Sequence, residues 1–226
     1  MKKAVVSFAD STGSYRKKLQ RLEQSLKGNF DGDFIGFTDY AQIGSPKHSE
    51  IPYAFKPYAI QKARDMGYDL ILWADSPLWA VKSIQPVFDW IQNHGYVFFE
   101  NIGHPLGMWC NDRTLNYFKI GRENSFQIKQ IMACCMGFNF GFLSVTNTFN
   151  QYKDVAKDLY PGEWDNEDFT ESQDRRVRGH RHDQAVMSCV LHNTKKELLK
   201  GQDTFFAYYA HREVMKVSDS VCLYSG

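Results

Sequence analysis

With 226 residues, 43% of them hydrophobic, and a net charge of +1, the chain is long enough for a full core and lacks the general basic field of a nucleic-acid binder. No apolar run approaches the roughly 20 residues that span a bilayer, and the N-terminal MKKAVVSFADSTGSY reads as a first strand, not a leader. The five cysteines form neither CxxC spacing nor a disulfide framework, which predicts a reducing, cytoplasmic setting.

In chain order, residues 3–9 form an apolar strand that runs into Asp10 and a turn containing Gly13. Residues 15–26 place Leu19, Leu22 and Leu26 on one helical face, closed by Gly28. Residues 33–38 make a second strand, ending at Asp39. After a polar loop with Pro46 and His48, Lys56 and Pro57 open a helix whose apolar positions are Ala59, Ile60, Ala63 and Met66. Gly67 ends it. The apolar run 69–73 is then a strand covered on both faces, with Asp75 and Ser76 just past its end. A helix at 86–93 and a strand at 96–100 continue the alternation, which predicts an α/β fold with a mostly parallel central sheet flanked by helices and right-handed crossovers.

Beyond Asn101 the pattern changes. Residues 103–120 are irregular and rich in aromatics, 125–135 read as helical, and 136–145 as an extended, glycine-punctuated strand. Residues 147–159 are a helix with Tyr152, Val155, Ala156 and Leu159 on one face. The stretch 160–179, acidic and then basic, is a long loop of the kind that serves as a binding lid. A helix at 183–191 and a short strand at 204–209 complete the pattern. No Pro/Gly/Ser-rich linker divides the chain, so a single domain is expected over residues 1–226.

Three strand ends each deliver an acid: Asp10, Asp39 and Asp75. Clustered carboxylates repel unless something neutralises them; a divalent cation, ribose hydroxyls or a base edge would each serve. Each acid taken singly is equally a cap for its loop. Lys56, among the free N–H groups of a helix start, suits a diphosphate. Arg175, Arg176, Arg178 and Arg181 form one short basic cluster that could hold phosphates. His180 and His182, two apart, are a weak metal signature, and Cys134 with Cys135 reads as core packing. No GxGxxG, Walker or GxSxG motif occurs.

The order of these features resembles the GT-A fold (Rossmann-like) nucleotide-sugar glycosyltransferases, closest in kind to the glycogenin and lipopolysaccharide galactosyltransferase group (family 8-like). In that group a basic residue on a helix precedes an apolar strand ending in a DxD motif; Lys56 and Leu70-Ile-Leu-Trp-Ala-Asp75 are similar. Phe138-Asn139-Phe140-Gly141 resembles its Asn-x-Gly strand, and Asp183-Gln184 its Asp-Gln pair opening a helix. The resemblance spans residues 3 to 192. It departs at Pro77, which stands where the second Asp of DxD would be and has no ligand atom.

The resemblance implies transfer of a sugar from a nucleotide-diphosphate donor, UDP- or GDP-linked, to a glycan or other hydroxyl acceptor. Residues 1–101 would be the nucleotide-binding half and 102–226 the acceptor half. Ala9, Asp10 and Asp39 would meet the nucleoside, Lys56 the phosphates, and Asp75 with Ser76 the ribose–phosphate region. Asp183, Gln184 and Asn139 would be the catalytic set, with Trp109 a candidate acceptor platform. Metal use stays open between Mn²⁺ or Mg²⁺ held by Asp75 and His211, and metal-independent transfer. Asp183 acting as base would invert the anomeric centre, whereas the group named implies retention. Two other readings remain: a catalytically degenerate sugar-nucleotide-binding or scaffolding protein, which Pro77 supports, and a sugar nucleotidyltransferase, which the single glycine after the first strand disfavours.

Overall fold

The computed structural model describes residues 1–10, 13–166, 170–200, 204–208 and 218–226. Strand β1 (Lys3–Phe8) leads to helix α1 (Ser14–Leu26), strand β2 (Asp33–Phe37), the short α2 (Tyr40–Ile43) and helix α3 (Phe55–Asp65). Strands β3 (Leu70–Ala74) and β4 (Leu78–Ala80), helix α4 (Gln85–His94) and the long strand β5 (Tyr96–Pro105) follow. A 3-10 turn (Leu106–Met108) and two short helices, α5 (Asp112–Tyr117) and α6 (Arg122–Ser125), connect to strand β6 (Lys129–Asn139). Helices α7 (Leu143–Asp154), α8 (Ala156–Leu159) and α9 (His182–Asn193) precede the short strands β7 (Leu199–Lys200), β8 (Phe206–Tyr208) and β9 (Leu223–Ser225).

The main sheet has the order β2-β1-β3-β6-β5-β7, and β6 alone of its six strands runs against the rest. A second sheet of three strands, β4-β9-β8, stands beside it. Both faces of the main sheet are covered, which is why its strands read as unbroken apolar runs. Val6, Phe8, Ile71 and Trp73 point into one layer with α3, α7 and α9. Val5, Leu70, Leu72 and Ala74 point into the other with α1, α4 and the small sheet.

The structure departs from the sequence reading in the second half. Residues 129–139, expected partly as helix, are β6, with Ile131 and Ala133 in one layer and Met132 and Cys135 in the other. A strand buried on both faces shows no period-two alternation, and Met and Ala are strong helix formers, so local propensity pointed the wrong way. The extended stretch expected over 136–145 ends at Asn139, whose Oδ1 accepts from Gly141 N at 2.9 Å, and α7 begins at Leu143. The two- and three-residue strands β4, β7 and β9 are too short to carry a pattern of their own. No helix among the described residues is long and apolar enough to cross a membrane.

Candidate functional site

The chain leaves β1 for β2 on one side and then crosses to β3 on the other, so the carboxyl ends of β1 and β3 flank the switch point where open α/β sheets bind ligands. A cavity of about 400 Å³ opens there. Ala9 and Asp10 line it from the end of β1, and Asp75 and Ser76 from the end of β3. Its remaining walls are largely aromatic: Phe8 stacks on Phe55 at 4.8 Å and lies 4.8 Å from Tyr40, while His48 meets Tyr53 edge-on at 4.7 Å. Burial, first, and then Lys56 hold the His48 imidazole below its ordinary range, so it is neutral at pH 7.

Two residues expected to meet the donor are engaged with the protein instead. Asp39 caps α2: its carboxylate accepts from Ala41 N at 2.9 Å, and Gln42 closes a capping box. Lys56 has turned away from solvent. Its position falls three and four residues before Ala59 and Ile60, the apolar face of α3, and its side chain is only 3% exposed. That spacing was legible, although the pairing it leads to was not.

The Lys56 ammonium lies 3.2 Å from Asp75 Oδ1 and 3.2 Å from Asp183 Oδ2, and it donates to the Ala133 carbonyl at 3.0 Å. The indole of Trp73 donates to Asp75 Oδ1 at 2.7 Å, and Tyr152 donates to Asp183 at 3.5 Å. Burial works against the Lys56 charge, but Asp183 and then Asp75 outweigh it and hold the group far above its ordinary range. For Asp183, burial outweighs Lys56 and pushes the carboxyl up to about 6. Two carboxylates thus share one ammonium, and the cluster keeps a negative charge above that pH. Tyr53 and His182, whose rings meet at 5.5 Å beside it, both adopt left-handed backbone with φ of 59° and 42°. Such strain in non-glycine residues concentrates at functional sites.

Asn139 is far from this cluster. It pairs with Leu70 while Cys135 pairs with Ala74, so about 13 Å of strand separates it from the Asp75 end. It shapes the turn after β6 and does not join the catalytic set expected for it. Gln184, next to Asp183 on α9, donates to Gln130 at 2.9 Å; Gln130 is fully buried and its Nε2 has no partner. Trp109 does not present an open face: the Arg181 guanidinium covers it at 4.0 Å and lies 4.7 Å from Trp164. His180 and His182 serve the backbone, at 2.6 Å from the Leu159 carbonyl and 2.7 Å from that of Tyr160. Arg176 is held by Asp174 and Glu123. The Cys134 thiol, pushed up to about 12 by burial first and by Asp75 next, is inert, as packing would require. The expected lid over 160–179 is tied down where it is described. Asn166 N donates to Arg178 O, Arg178 N to Met108 O and Asp112 N to Glu171 O.

A divalent cation does not fit the described residues. They contain no group of three His, Cys, Asp or Glu side chains able to hold a metal. Asp75 is engaged by Lys56 and Trp73, and Pro77 offers no ligand atom. The second expected ligand, His211, lies outside the described residues.

No family model and no curated protein sequence matches the chain. Solved structures do. Over 99% of its length the chain superposes on the WbbM bifunctional glycosyltransferase, at TM-score 0.60 and 12% identity, and it spans only 45% of that protein. It matches a glycosyltransferase involved in glycosylation of the major capsid of PBCV-1 over 100% of its own length and 93% of the other's, at TM-score 0.58 and 11% identity. For the galactosyltransferase LgtC the shares are 98% and 86%, at TM-score 0.50 and 9% identity. The chain therefore has the fold of the GT-A glycosyltransferases, as its motif order implied.

Proposed function

We propose that this chain, built on the GT-A fold, is a glycosyltransferase that moves a sugar from a nucleoside-diphosphate donor to a hydroxyl of a glycan or similar acceptor. The observation that carries the reading is the aromatic crevice at the β1–β3 switch point, with Asp10 on one wall and Asp75 on the other. Aromatic walls accept a base by stacking, and a carboxylate accepts from base or ribose donors. We assign the nucleoside to Ala9, Asp10 and the aromatic walls, and the ribose–phosphate region to Asp75 and Ser76. Residues 1–101 then act as the donor half and 102–226 as the acceptor half of one domain.

Breaking the bond from the anomeric carbon to the diphosphate oxygen builds positive charge on the sugar and negative charge on the leaving group. Asp183, ionised above about pH 6 and buried, is suited to support the first. Gln184 beside it can orient a sugar or acceptor hydroxyl. Lys56 holds Asp75 and Asp183 in register, bridging the donor crevice to the transfer site. Free thiols at all five cysteines support a cytoplasmic setting.

The test is thermal unfolding against UDP-, GDP-, CMP- and dTDP-sugars, each with Mn²⁺ and with EDTA, followed by assay of donor turnover. One donor at a hundredfold excess over its Kd should add about 2.7 kcal/mol of stability. Silence across the panel would sink the reading. The engagement of Lys56 by two carboxylates and the presence of Pro77 favour a second reading, a sugar-nucleotide binder without turnover; a donor that stabilises the chain but is never consumed would select it.

A further inference from the structure

We propose that Arg181 is the side chain that receives the donor's diphosphate, an inference that rests on the donor reading above. The reasoning begins with charge. Around the crevice, Asp10, Asp75 and Asp183 bring three carboxylates against the single ammonium of Lys56, and that ammonium is already bracketed by two of them. His48 and His182 add no positive charge at neutral pH; burial, first, holds His182 down at about 4. A diphosphate entering this field needs a cation that is not already spent on protein carboxylates.

Arg181 meets that need. It stands at the start of α9, two residues before Asp183, with its backbone N–H on the Trp109 carbonyl at 3.0 Å. Its guanidinium lies over Trp109 at 4.0 Å and over Trp164 at 4.7 Å. Indole faces fix the guanidinium plane but accept no hydrogen bond at its edge, so the in-plane N–H groups stay unspent. Nε is buried without a partner, and no carboxylate lies within ion-pairing distance among the described residues.

The location is also right. Rings link Arg181 to the crevice: Tyr53, one of its walls, lies 5.5 Å from His182, His182 lies 6.0 Å from Trp164, and Trp164 lies 4.7 Å from the Arg181 guanidinium. A nucleoside seated between β1 and β3 would thus extend its phosphates past Tyr53 toward this cation. Two other arginines are occupied: Arg176 by Asp174 and Glu123, and Arg21 by the Pro77 carbonyl at 2.7 Å and the Gly226 oxygen at 2.9 Å. A planar, immobilised guanidinium suits bidentate capture of phosphate oxygens.

The experiment is calorimetric titration of the full chain in EDTA with UDP, GDP, ADP, CDP and dTDP, then with the matching monophosphate and nucleoside of whichever diphosphate binds. Arg181→Gln should weaken the diphosphate about 10–100-fold, the monophosphate less, and leave the nucleoside unchanged. It should also flatten the salt dependence of diphosphate binding. Unchanged diphosphate affinity, or an equal loss for all three ligands, would overturn the inference while leaving the donor reading intact. Should Arg181→Gln fail to fold, Arg181→Lys decides: it keeps the charge without the stacked plane, and its loss must still grow with phosphate number. A wild-type chain that binds none of the five diphosphates overturns the donor reading and this inference with it.

Discussion

Lys56 pairs with Asp183 and Arg181 precedes it by two residues, and the protein treats these two cations in opposite ways. Lys56 is packed among carboxylates and a backbone carbonyl, so its charge is consumed in holding α3, the end of β3 and the start of α9 together. Arg181 is packed among indoles, which fix its orientation and leave its donors available. The difference teaches that a lysine at a helix start in this fold need not be a phosphate ligand. A buried charge with partners is structure; a held charge without them is capacity.

Removing Lys56 should break the first arrangement with the largest effect on stability. Lys56→Met leaves the buried Asp183 carboxylate without its cation and facing Asp75, and should cost about 3–5 kcal/mol in urea unfolding at pH 8. Asp183 titrates at about 6 in the folded chain, above its ordinary range, so the folded state binds the extra proton between about pH 4 and 6. Its contribution to stability is full below that window and lost as pH rises through it. Without Lys56 the folded pKa rises further, and protonation at pH 5 relieves the repulsion. The Lys56→Met deficit should therefore shrink markedly at pH 5; the same deficit at both pH values would mean that Lys56 does not govern Asp183.

Arg181's bracket breaks at the backbone instead. Gly179 sits at φ 146°, and a Cβ there would collide with the Trp164 carbonyl. Gly179→Ala should cost about 1–3 kcal/mol and, by displacing Trp164, weaken diphosphate binding while leaving the Lys56 cluster intact. Stability lost together with unchanged nucleotide affinity would detach Trp164 from Arg181's role.

Much of this was legible in the sequence, for identifiable reasons. Apolar runs bounded by glycine gave β1, β3, α1 and α3 and the mostly parallel sheet, because burial on both faces leaves a strong local signature. Asp183 came from the resemblance, whose Asp-Gln pair opens a helix, and four residues that line the crevice (Ala9, Asp10, Asp75 and Ser76) came from strand ends. The failures came where contacts are distant in sequence. Tyr40 and Phe55, the first residues of α2 and α3, and Tyr53 between those helices line the crevice through a chain path that no periodicity reports. The stacking of Trp109 and Trp164 on Arg181 joins residues 72 and 17 positions away from it. Asn139 read as part of the site because a motif carries no information about which end of a strand it occupies.

The smallest effects separate the two acids that the sequence treated alike. Asp39 is exposed and spends its carboxylate on Ala41 N, so Asp39→Ala should cost about 1 kcal/mol of stability and leave nucleotide affinity untouched. Asp10 faces the crevice beside the Tyr40 hydroxyl, so Asp10→Ala should cost up to about 1 kcal/mol of stability but weaken the nucleoside and the diphosphate by the same factor. That factor distinguishes it from Arg181, whose loss grows with each phosphate. Stability follows from denaturant unfolding and affinity from the same titrations. An Asp39 variant that loses nucleotide, or an Asp10 variant that loses only stability, would exchange their roles. The crevice would then have to be redrawn toward β2, since the Asp39 carboxylate is spent on the N–H groups of its own helix whereas the Asp10 carboxylate lines the crevice wall.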